Sequence, residues 1–113
     1  MAESDSDVVV VMSAMPGSAA ALIARTLVDE QLCACINVIE GVRSFYFWRG
    51  NVDDQEERLA IMKTTRGKVE ALLKRLPELH PYDMPEAVVL PVVGGLAPYL
   101  AWVAAEVTQP RAE

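Results

Sequence analysis

The chain predicts an α+β sandwich of order β-α-β-β-α-β-α, whose first six elements match the split βαβ, ferredoxin-like arrangement. Three observations predict it. Short β-branched runs stand at both ends of the chain. Helical stripes with apolar residues at i, i+3, i+4 and i+7 alternate with them. Two long extended stretches in the middle are separated by a single turn signal.

The elements follow in order. The stretch VVVVMSAM, Val8 to Met15, is β-branched and reads as a buried strand. Pro16, Gly17 and Ser18 supply a turn and a helix start, and Ser18 to Gln31 is helical, with Ile23 and Leu27 on one face. Extended chain runs from Leu32 to Trp48 and from Val52 to Thr65, with Arg49-Gly50-Asn51 as the hairpin turn. In KVEALLKRL, residues Val69, Leu72, Leu73 and Leu76 make an amphipathic stripe, which Pro77 is expected to stop. The last strand is AVVLPVV, where Pro91 favours an edge or a bulge. Gly94-Gly95 breaks the chain, and Pro98 fits the first turn of an extra C-terminal helix carrying Leu96, Tyr99, Leu100 and Val103.

At 113 residues the chain suggests one domain, set at 8–107, with a disordered N-terminal tail 1–7 and a C-terminal tail 108–113. Net charge is −6, and no Lys/Arg cluster supplies the basic footprint that duplex binding needs. Nucleic acid and anionic membrane are therefore not expected partners. The acidic start MAESDSD lacks the marks of a signal peptide, and no apolar run is long enough to span a bilayer, so a cytoplasmic home is expected. Cys33 and Cys35, at i and i+2 of an extended stretch, should share one face roughly 6.5–7 Å apart. A disulfide between them would be strained, and they read as free buried thiols, with a C-x-C metal pair as the sharper alternative.

Strand patterning speaks to partners. Both faces of the stretches around Ile36 and Val89 are apolar, whereas a half-solvated sheet alternates apolar with polar. Two crossover helices cover only one face, and another copy of the chain is the simplest cover for the other. Seventeen residues of strand would reach roughly 55 Å, while a compact chain of this size has a radius of gyration near 13 Å. The hairpin must therefore bend or project. Gly41 is the place for a bulge, and SFYFW, Ser44 to Trp48, would expose aromatics unless a neighbour receives them.

Several motifs in correct order carry a resemblance. They are ACIN (Ala34 to Asn37), SFYFWRG (Ser44 to Gly50), Glu57 followed by IMKTT (Ile61 to Thr65), HPYDMPE (His80 to Glu86) and YLAW (Tyr99 to Trp102). With them the chain resembles the CutA family of divalent-cation tolerance proteins over Val8 to about Val107. The resemblance implies a ferredoxin-like fold in a tight homotrimer, with long hairpins packed between subunits. It also implies a link to copper and other divalent cations, a P-II-like architecture suited to signalling or scaffolding, and no catalytic activity. The copper ligands proposed for the family correspond here to Met12 and His80, with Leu79 where some relatives carry a second histidine.

Two site readings follow. In the first, His80 binds copper or another divalent cation, with Met12 as a soft thioether ligand; no ion is needed for folding. In the second, a small molecule sits in an intersubunit cleft formed by Tyr46, Trp48, Lys63, Tyr82, Glu86 and Trp102, with Lys63 and Glu86 pairing in its polar floor. The acidic run Asp53, Asp54, Glu56 and Glu57 reads as a solvated charged face. An enzyme is not expected, because neither a phosphate-cradling glycine loop nor a nucleophile–base pair is present.

Overall fold

β1 (Val8–Met15), β2 (Cys35–Trp48), β3 (Asn51–Thr65) and β4 (Val88–Pro91) form one antiparallel sheet of order β2-β3-β1-β4. Helices α1 (Gly17–Asp29), α2 (Val69–Leu79) and α3 (Ala97–Thr108) complete the chain. A computed structural model describes residues 3–111; Met1, Ala2, Ala112 and Glu113, the outermost parts of the two expected tails, lie outside the described residues. This is the ferredoxin-like arrangement. No helix among the described residues is long and apolar enough to cross a membrane.

The period of two along β1 divides the molecule. Val9, Val11 and Met15 are fully buried, and Val11 and Met15 join Ile23 and Leu27 of α1, Leu72 and Leu76 of α2, and Ala60 and Met62 in the main core. Val8, Val10, Met12 and Ala14 alternate with them and point to the other face. There α3 packs Val103 and Val107 over Ala34 and Val8, covering one end of the sheet. The rest stays open: Ile39, Val88 and Leu90 are 44%, 51% and 40% exposed. The expected bare face is thus half real, because the C-terminal helix takes part of the work assigned to another copy.

The hairpin projects. The radius of gyration is 15.0 Å and the extents are 45 × 37 × 24 Å, larger than the roughly 13 Å of a compact chain this long. Its turn is a tight two-residue one, with Arg49 and Gly50 both at positive φ (50° and 87°), which matches the twist of the flanking strands. Phe45, Phe47 and Val52 are 64%, 70% and 68% exposed along one side of the arm. The bulge falls where glycine allows it: register slips between Ile39 and Val42, and Gly41 has φ 77°. One extra residue reverses parity, so Ser44, Tyr46 and Trp48, rather than Phe45 and Phe47, share the side of Gln55 and Glu57. Gly41→Ala has open space for its methyl group but a backbone that disfavours any Cβ. It is expected to cost about 1–2 kcal/mol in chemical denaturation, and an unchanged midpoint would contradict the bulge geometry.

Several expectations need correction. Pro77 does not stop α2, which runs on to Leu79 and closes with the His80 N–H donating to the Leu76 carbonyl at 2.9 Å. Proline's fixed φ is itself helical, and its missing N–H would have served the carbonyl of Leu73, on the exposed side of the helix. The last strand is four residues long, not seven, and lies at the edge beside β1. Cys33 and Cys35 do not share a face: the strand starts only at Cys35, leaving Cys33 in the main core and Cys35 half-buried near Tyr99. Both are free thiols, and burial pushes the Cys33 thiol up to about 12. Of the residues expected as tails, Asp5 and Asp7 accept backbone bonds from Gly67 and Arg66, and Arg111 donates to the carbonyls of Val28 and Asp29.

Candidate functional site

The corner HPYDMPE extends the edge of β1 beyond the end of β4. Antiparallel register pairs Met12 with Val88, so Ala14 lies opposite Glu86. There side chains replace the ladder. The Ala14 N–H donates to Glu86 Oε2 at 3.0 Å, and His80 Nε2 lies 3.0 Å from the Ala14 carbonyl. His80 Nδ1 accepts the Tyr82 N–H at 3.2 Å, which leaves Nε2 as the protonated nitrogen that donates. His80 is only 5% exposed, with its ring tilted against that of Tyr82.

These bonds place Tyr82 over the hairpin. Its hydroxyl donates to Glu57 Oε2 at 2.8 Å and lies 3.4 Å from Gln55 Oε1. Between corner and hairpin opens a cleft of about 980 Å³, lined by Tyr46, Trp48 and Tyr82 and by the carboxylates of Asp53, Glu57, Asp83 and Glu86. Glu57 is 6% exposed and makes no ion pair among the described residues. Desolvation, then the bond to Glu57, pushes the Tyr82 phenol up to about 12; desolvation, then Asp53 and Glu57, raises that of Tyr46. A phenol raised in the folded state above its usual value near 10 stabilises the fold below that value, and the contribution is lost as pH climbs to about 12. Alkaline unfolding should therefore steepen over that window, and Tyr82→Phe should flatten it in a circular-dichroism titration; an unchanged profile would contradict the Tyr82–Glu57 bond.

The structure brings together four of the six expected cleft residues within one chain: Tyr46, Trp48, Tyr82 and Glu86. The other two lie elsewhere. Lys63, paired across the sheet with Val10 and Cys35, donates to Asn37 Oδ1. It forms no ion pair with Glu86 among the described residues: Lys63 sits opposite Val10 while Glu86 lies at Ala14, four residues further along β1. Trp102 sits on α3, stacked on Tyr99 at 5.7 Å. The expected metal pair does not fit an ion in this chain. Both ring nitrogens of His80 are occupied, and Met12 sits mid-strand between Ile61 and Val88. Among the described residues no group of three or more His, Cys, Asp or Glu side chains could hold a metal. Glu57 was expected on a solvated face and is instead the buried carboxylate of the cleft. Its period-two alignment with Leu59 and Ile61, both only part-exposed, was the available signal.

Fold and cleft together define a ferredoxin-like α+β protein with a projecting hairpin and an aromatic, acidic groove along it. The sequence pattern of the CutA1 divalent ion tolerance protein family matches residues 8–106, and the chain belongs to that family. It is 40% identical to the divalent-cation tolerance protein CutA of Pectobacterium atrosepticum, over 86% of this chain and 89% of that one. The CutA of Thermus thermophilus is also 40% identical, over 84% of this chain and 92% of its own length. Among solved structures, CutA from Xylella fastidiosa superposes with a TM-score of 0.87 at 38% identity, covering 89% of this chain and 98% of that one. The PII-like protein CutA from Nostoc does so at 0.84 and 36% identity, over 88% and 96%.

Proposed function

We propose that this protein is a homotrimeric, P-II-like response protein, and that its part in divalent-cation tolerance runs through a ligand bound in the cleft between the hairpin and the HPYDMPE corner. The cleft carries the reading, since a few convergent polar groups under aromatic walls are the usual make-up of a small-ligand site. Tyr46 and Trp48 wait there half-exposed above the buried Glu57 carboxylate. The trimer is supported by the open apolar face, the bare side of the hairpin and the family's resemblance to P-II assemblies. In this reading the protein is not an enzyme, folds without any ion, and works in the cytoplasm, where free thiols such as Cys33 and Cys35 persist.

The rival is a copper ion on His80 with Met12, and it requires breaking one of the two His80 hydrogen bonds. Calorimetric titration of metal-free protein with copper, against a competing chelator, separates the two. The proposal expects any saturable binding to survive His80→Ala and to weaken in Tyr46→Ala. Loss of binding in His80→Ala, with the fold intact, would favour the rival.

A further inference from the structure

The cleft's charge is one-sided. Asp53, Glu57, Asp83 and Glu86 line it, and among the described residues no lysine, arginine or histidine does. Glu57 is only 6% exposed; its Oε2 takes only a neutral phenol, and its Oε1, which accepts no hydrogen bond among the described residues, is not sealed off and stays accessible from the cleft. A buried carboxylate without a positive partner is costly, and a cation that supplies one is bound strongly. An anionic ligand such as a nucleotide would meet four like charges and no counter-charge.

Two kinds of cation remain, a metal ion and an organic one. A metal ion needs its donors within one coordination sphere, yet the carboxylates are spread along the groove, and among the described residues no trio of acidic, His or Cys side chains is close enough to hold an ion. Spread negative charges between aromatic faces suit a ligand whose positive charges are also spread. Ammonium groups donate to carboxylates and stack over aromatic rings, and the methylene segments between them cover apolar ring surface as a lysine stem does.

We propose that the cleft binds a linear aliphatic polyamine, with one terminal ammonium seated on Glu57 and the chain running out along the hairpin past Tyr46 to Asp53, with Trp48 beyond it. The proposal rests on the cleft reading above and names its ligand class. It is tested with the intact protein by calorimetry and tryptophan fluorescence, with spermidine as the probe. A neutral diol of equal length, ATP and copper(II) are titrated alongside it. Saturable spermidine binding is expected, and none for the diol. Glu57→Gln should weaken it by about tenfold or more, the loss of one charge-assisted hydrogen bond. Asp53→Asn and Tyr46→Ala, on part-exposed side chains, should weaken it without disturbing the fold. Spermidine binding unaffected by Asp53→Asn and Tyr46→Ala would be surface attraction and would overturn the proposal. If ATP or copper binds with sensitivity to Tyr46→Ala while spermidine does not bind, the polyamine class fails and the cleft reading stands. If no probe responds to cleft substitutions, both fail.

Discussion

Leu90→Asp is expected to turn the proposed trimer into monomers. Leu90 is 40% exposed on the edge strand and, paired with Val10, projects onto the open face. In a lone subunit an aspartate there stays in water and changes stability by no more than about 0.5 kcal/mol. In a trimer that buries this face, each copy carries an unpaired desolvated charge costing about 3–5 kcal/mol. Light scattering should then report a single chain of 12.4 kDa, with a lowered and concentration-independent melting point. Phe47→Asp, on the bare side of the hairpin, should act in the same direction. A variant that keeps the parental mass and melting point would show that the face is not an interface.

His80→Ala should be the most damaging substitution in the HPYDMPE corner. It removes a buried ring, strips the Ala14 carbonyl of its donor and leaves the Tyr82 N–H without Nδ1. Unsatisfied buried groups and the lost packing together cost about 2–4 kcal/mol. Urea unfolding measures the loss. Unchanged stability would mean that the imidazole does not hold the corner, and the metal reading of His80 would regain its footing.

What the chain revealed in advance was local. The Val69–Leu76 stripe, the Arg49-Gly50 turn and the bulge at Gly41 each depend on residues within a few positions of one another, and each stands where patterning placed it. What stayed hidden depended on distant partners. Nothing in the one-dimensional pattern tells that Ala14 offers its backbone to His80 and Glu86, more than sixty residues away. Register sets Lys63 opposite Val10, four residues of β1 away from Glu86, so the lysine turns to Asn37 and the expected ion pair does not form. Glu57 looked solvated because its neighbours in sequence are acidic; it is buried because Tyr82 folds over it. The bulge itself was legible, but its consequence was not: parity reverses after Gly41, and this decides which aromatics face the cleft.

Assembly is the main claim of the proposal, which assigns a neighbour to both the open sheet face and the projecting hairpin. The most direct test is the absolute mass of the purified chain by light scattering at low micromolar concentration. A mass of three 12.4 kDa chains that persists on dilution is the predicted result. A stable mass of one chain would contradict the account, leaving the apolar face and the hairpin aromatics bare in water.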